Sequence, residues 1–221
     1  MIESPPTGAR YVSLLELLAG AAIVLGHNVY HILPNEVPIL FLLGWISVRV
    51  RNRRWSAIGF KRPASWRRLV ALALAAATVR IALGDLVIEP LGAHFWPEIV
   101  PPEGAEKITG NVGMALLGLV VVWTFAAFGE EIAYRGYLTL RAAEAGGSSQ
   151  RAWWLATLLV SILFGLAHYY KGVTGMIDSS VAGLILGTAY LLSGRNLWAA
   201  ILAHGFIDSF AVVTLFCGWD I

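Results

Sequence analysis

Charge is what this chain has least of. Only 14% of its 221 residues are Asp, Glu, Lys or Arg, against about 25% in a soluble globular domain. With 57% hydrophobic residues, that scarcity excludes an ordinary water-soluble fold. Cysteine is nearly absent: Cys217 stands alone, which excludes an internal disulfide and a cysteine-based metal site. The net charge of +2 is too small for a nucleic-acid partner. Ten-residue segments of alternating hydrophobicity, the mark of a membrane β-barrel, are missing. So are the HExxH signature of one zinc protease class and the inverted repeat with paired broken helices expected of many transporters. Ile2–Arg10 is polar, and no small-residue cleavage site follows the first apolar stretch. That stretch therefore reads as a retained first span.

What is present is a succession of long apolar runs, and these predict an all-α, polytopic membrane bundle of about seven (six to eight) transmembrane helices. Residues 1–221 form a single integral membrane domain. Its N-terminal part, 1–68, holds two spans and a basic loop; its catalytic core is 111–216. The predicted spans are Tyr11–Leu33, a short apolar segment Val37–Val48, Leu69–Leu86, Asn111–Ala143, Ala152–Tyr170, Val173–Ser193 and Leu197–Phe216. Residues 49–68 carry Arg49, Arg51, Arg53, Arg54, Lys61, Arg62, Arg67 and Arg68 with no acidic residue, half of the sixteen Lys and Arg. An excess of cations in a short loop places it on the cytoplasmic side, where anionic lipid or substrate contact is a second reading. Residues 89–110, rich in Glu and Pro, suit an outer loop. Gly183 and Gly187 have the spacing that lets membrane helices approach closely.

Eighteen residues without a charge, Asn111–Phe128, precede Gly129-Glu130-Glu131-Ile132-Ala133-Tyr134-Arg135. Ionisable groups within a membrane helix are expensive, and such a cluster marks a functional site by default. Two later spans carry partners at the same spacing: Phe164 with His168, and His204 with Asp208. Residues i and i+4 share a helix face. With a rise of 1.5 Å per residue from the cytoplasmic ends, Glu130 lies roughly 16 Å deep, His204 roughly 10 Å and His168 roughly 25 Å. A carboxylate beside a second one in a low-dielectric site is suited to general-base work. Arg135 pairs most simply with Glu131 and leaves Glu130 to activate water, with His168 sharing that water. His204 and Asp208 could donate to a developing oxyanion or orient its donors. Metal-assisted hydrolysis stands beside this, with Glu130, His168 and His204 as candidate zinc ligands. The preferred mechanism requires no cofactor. A buried structural ion pair is the plain alternative for Glu131–Arg135.

In their order on successive apolar helices, Glu-Glu-x-x-x-Arg (130–135), Phe-x-x-x-His (164–168) and His-x-x-x-Asp (204–208) resemble the CPBP intramembrane proteases. That family includes the type II, Rce1-like CAAX prenyl endopeptidases and bacterial Abi or bacteriocin-immunity relatives. The resemblance covers about half of the chain, Asn111–Phe216, and Trp55–Pro63 looks like the short amphipathic stretch that precedes the core. It implies an intramembrane endopeptidase acting on a peptide or protein substrate, with its site opening toward the cytoplasm of a bacterial-type cell membrane. It implies that Glu130 and His168 activate water while His204 and Asp208 stabilise the oxyanion, with Glu131, Arg135 and Phe164 in support. Relatives have been described both as metalloproteases and as glutamate proteases. Asp208 replaces the frequent Asn, which makes it an orienter or a protonated donor.

A non-enzymatic immunity or scaffold protein is the alternative, and an ion-coupled transporter a weaker third. The sequence sets neither the substrate nor the oligomeric state. His27 and His31 read as the water-facing end of the first span. Glu16, Arg80 and Asp85 have no functional case, with Arg80 or Asp85 free to pair together or with a neighbouring helix.

Overall fold

A computed structural model describes residues 6–97 and 105–219. Seven helices organise it. They are α1 (Thr7–Asn28), α2 (Glu36–Ser47, ending in a π turn, Val48–Asn52), α3 (Trp66–Phe95), α4 (Val112–Ala145), α5 (Gln150–Leu166), α6 (Gly172–Leu192) and α7 (Leu197–Cys217). No strand occurs among the described residues. Five of them, α1, α3, α4, α6 and α7, are long and apolar enough to cross a membrane. The chain is thus a polytopic helical membrane protein. α5, with 17 residues, and α2, with 12, are shorter.

Polar residues set where the helices begin. The side chains of Asn35, Ser65, Asn111, Ser149 and Asn196 each accept a bond from a first-turn backbone N–H, replacing a partner that a helix start lacks. Gly147 and Gly194 close the turns after α4 and α6 with positive φ (88° and 72°), a conformation that costs glycine little.

Several boundaries differ from the sequence reading. α1 ends at Asn28, so His27 and His31 do not share a helix face; His31 adopts φ 53° beyond the helix. α3 does not stop near Leu86. It passes through a π turn, Gly84–Ile88, and continues to Phe95 across Pro90. A proline has no N–H to give and crowds the preceding turn, and the widened winding just before it accommodates both defects. The outer loop therefore loses residues 89–95 to the helix, and Glu98 and Glu103 lie outside the described residues. α5 ends at Leu166 rather than Tyr170, and a short 3-10 turn, Tyr169–Lys171, leads into α6.

α4 changes character along its length. Leu116, Leu117, Val120 and Phe125 are exposed, as side chains facing lipid are, whereas every residue from Glu131 to Ala143 is buried. A helix buried all round belongs at the centre of a bundle. α1, α2, α5 and α7 pack against this half. It is also π-helical over Val122–Glu130 and Ile132–Leu138, a winding that tends to occur at functional sites.

The α5–α6 hairpin packs through small residues. A Cβ on Gly183 would lie 3.1 Å from Ser161 Cα and 3.2 Å from Arg135 Nη2, so the glycine spacing serves close approach. At one end, residues of the basic segment are tied to the bundle. Leu197 N–H donates to Gly59 O at 2.9 Å. Arg51 and Arg141 both reach Glu16 and Glu144, with Arg141 fully buried. Glu16 thus acquires a structural role that its sequence position did not reveal. Arg80 pairs with Asp178 of α6, not with Asp85.

Candidate active site

The buried half of α4 brings Glu131 and Arg135 to the middle of the bundle. Arg135 Nη1 donates to Glu131 Oε1 at 2.8 Å, and both side chains are shielded from solvent. The same oxygen receives a second contact from α7, where His204 Nδ1 lies 2.7 Å away. A carboxylate only accepts at this contact, so Nδ1 carries the proton. His204 Nε2 faces Asp208 Oδ2, one turn on, at 3.4 Å. One carboxylate therefore clamps an arginine of its own helix and a histidine of another. Spacing predicted the Glu131–Arg135 and His204–Asp208 pairs; the bond joining them crosses 73 residues of sequence and had no local signal.

Phe164 is the apolar hub. The Arg135 guanidinium lies over its ring at 4.3 Å, a cation–π geometry. Tyr134 meets it edge-on at 5.0 Å, His204 edge-on at 6.2 Å, and the His168 ring is 4.7 Å away. His168 itself lies past the end of α5, with φ −105° and ψ 25°, so it does not share a helical face with Phe164. A hydrogen bond places it instead: His168 Nδ1 is 2.8 Å from the Phe164 carbonyl. Nδ1 must donate to that carbonyl, which leaves Nε2 as the ring's acceptor. The Tyr170 ring stacks near His168 at 5.9 Å and is largely exposed.

Glu130 differs from its neighbour. It is partly exposed and makes no hydrogen bond or ion pair among the described residues. The charged groups that act on it are His204, Asp208, Glu131 and Arg135. No hydrogen bond or ion pair joins Glu130 to His168 among the described residues; what they share is the electrostatic reach of His204 and Asp208.

The zinc alternative requires three converging ligands and an open position. Among the described residues no three His, Cys, Asp or Glu side chains are grouped to hold a metal ion. The chemistry agrees with this: His204 spends Nδ1 on Glu131 and turns Nε2 toward Asp208. Of the three candidate ligands Glu130, His168 and His204, the first two keep free donor atoms, and two ligands do not make the expected set.

Two residues near the site had no assigned role in the sequence reading. Tyr134, one turn beyond Glu130, is fully buried, and its hydroxyl donates to Glu36 Oε1 at 3.3 Å. Its i+4 position relative to Glu130 was an available signal. Glu36 had none, because it follows a Pro-Asn turn and reads as a solvated helix start.

Residues 112–210 match the family described as type II CAAX prenyl endopeptidase Rce1-like. All seven motif residues fall inside this stretch, so the resemblance drawn from their order holds there. The inner membrane protein YqcE of Escherichia coli (strain K12) is 26% identical over 127 residues, which is 58% of this chain. The matched part is 29% of that relative's length. No solved structure matches.

Proposed function

We propose that the protein is an intramembrane endopeptidase that hydrolyses a peptide bond in a membrane-associated substrate. The observation that carries this reading is the contrast between two adjacent carboxylates. Glu131 is locked by Arg135 and His204, while Glu130 keeps both oxygens free beside that fixed cluster. A general base needs a lone pair that water can reach; Glu131 is fully buried, whereas Glu130 is partly exposed.

Water binds between Glu130 and the unprotonated Nε2 of His168. Glu130 takes its proton as the water oxygen attacks the scissile carbonyl carbon. The tetrahedral oxyanion is stabilised by His204, whose ring Glu131 holds through Nδ1 and whose Nε2 exchanges its 3.4 Å contact with Asp208 for a bond to the oxyanion. The carbon–nitrogen bond then breaks, and Glu130 returns the proton to the departing amine. Arg135 holds Glu131 in place through Oε1 and supplies positive potential behind the site. No step passes through a metal.

The family match supports substrates with CAAX-type, prenylated C termini as the first class to test. The basic loop 49–68 supports an orientation with that loop in the cytoplasm and the site reached from the same side.

The test is incubation of the purified protein in lipid nanodiscs with prenylated and unprenylated C-terminal peptides, read by mass spectrometry. Cleavage by the wild type that falls at least ~10²-fold in Glu130→Gln supports the proposal. Full cleavage by Glu130→Gln overturns the base assignment. Absence of cleavage of any membrane peptide by the wild type overturns the activity.

A further inference from the structure

Glu36 stands outside the matched stretch, on the first turn of α2, yet it is only 6% exposed. Its Oε1 accepts from the Tyr134 hydroxyl at 3.3 Å. Its Oε2 is buried without a hydrogen bond, and the nearest cationic candidate is His27 Nε2 at 3.5 Å, from α1. His27 Nδ1 is meanwhile 3.0 Å from the Leu33 carbonyl. A helix start favours a carboxylate, but an exposed one would serve that purpose without the cost of burial. Among the described residues no Lys or Arg pairs with Glu36, so a lysine or arginine ion pair does not explain its burial.

The direction of the contact supplies the reason. Tyr134 is completely buried and is wedged between Glu36 and Phe164, whose ring it meets at 5.0 Å and 80°. Phe164 is the surface against which Arg135, His168 and His204 are set. Tyr134 also stands one turn from Glu130 on a π-helical stretch, where the backbone is less regular than in an α-helix. A tether on its hydroxyl therefore fixes both the hub ring and the turn that presents the free carboxylate.

We infer that Glu36 is a positioning residue of the hydrolytic site, acting through the Tyr134 hydroxyl to seat Phe164 and the groups around it. This rests on the endopeptidase reading for its kinetic consequence, though not for its structural one. The N-terminal hairpin is then part of the site rather than a passive anchor, and residues 112–210 alone lack one of its supports.

The test compares Glu36→Gln, Glu36→Ala, Tyr134→Phe and the Glu36→Ala/Tyr134→Phe double variant in nanodiscs. Peptide hydrolysis and the 15N ring shifts of His168 and His204 are both recorded. Gln keeps an oxygen that accepts from Tyr134, so Glu36→Gln retains kcat within about 3-fold. Glu36→Ala and Tyr134→Phe each lose ~10–10²-fold in kcat with little change in KM. The double variant loses no more than either single one, and the histidine shifts move in Glu36→Ala and in Tyr134→Phe. Equal loss in Glu36→Gln and Glu36→Ala, multiplying losses in the double variant, or unmoved histidine shifts overturn the inference. Tyr134→Phe removes only a hydroxyl and decides the matter if Glu36→Ala does not fold. If the wild type cleaves nothing, the activity reading fails, and the histidine shifts alone still decide whether Glu36 positions the ring.

Discussion

Arg135→Met separates the structural duty of the buried cluster from its chemical one. Arg135 and Glu131 are 2% and 0% exposed and meet at 2.8 Å. Removing the guanidinium leaves a carboxylate in the bundle centre whose remaining partner is His204, since Glu131 Oε2 already lacks one. Breaking a buried pair by deleting one member costs about 3–5 kcal/mol. Loss of the guanidinium from the Phe164 face, a desolvated cation–π contact worth about 2 kcal/mol, falls within that sum. His204 mitigates the cost, so the lower end, about 3 kcal/mol, is expected. Replacing both members, as Glu131→Gln/Arg135→Met, removes the stranded charge, and neutral replacement of a buried pair is often tolerated. The double variant should therefore recover most of the lost stability. Hydrolysis should stay low in both, because the double variant no longer offers His204 Nδ1 a carboxylate. The assay is reversible unfolding in mixed micelles, paired with peptide cleavage per folded molecule. A loss below about 1 kcal/mol in Arg135→Met, or a double variant no more stable than the single one, refutes the reasoning.

Asp208 steadies His204 from a partly exposed position at 3.4 Å. Asp208→Asn should keep most activity, whereas Asp208→Ala should lower kcat by ~10-fold or more, as checked by steady-state kinetics. Gly183→Val should destabilise the bundle by about 1–3 kcal/mol, because its added carbons meet Ser161 backbone and Arg135. Thermal unfolding measures that loss. Arg80→Met strands Asp178 within α6. It should cost several kcal/mol of stability, as measured by thermal unfolding. Chelator treatment of active protein should leave cleavage unchanged, since His204 has both ring nitrogens engaged and the other two candidate ligands do not form a zinc site; loss of activity restored by zinc would contradict that assignment.

The motif residues were legible because their partners sit one helical turn away. Glu131 with Arg135, and His204 with Asp208, needed no knowledge of the fold beyond a helix. The polytopic class was equally legible, since apolar runs of this length have few other uses. Where a helix was interrupted the sequence misled. Pro90 and the acidic residues near it look like a loop, yet a π turn carries α3 through them. His168 looked like a helical partner of Phe164, yet α5 ends first and a backbone carbonyl orients its ring.

Composition and spacing by themselves determined that this chain lives in a membrane, and which ionisable groups of α4 and of α7 share a turn. Both follow from local rules: transfer of apolar side chains out of water, and the 3.6-residue period. The i+4 spacing to Arg135 already pointed to Glu130 as the free carboxylate, and only the tertiary structure supplied the second contact on Glu131. The contact of Glu131 with His204 from another helix, and the burial of everything from Glu131 to Ala143, makes one a clamp and leaves the other open. The same holds for Glu36, whose partner Tyr134 is 98 residues away. Pairings across such distances come from packing, which no window of local sequence contains.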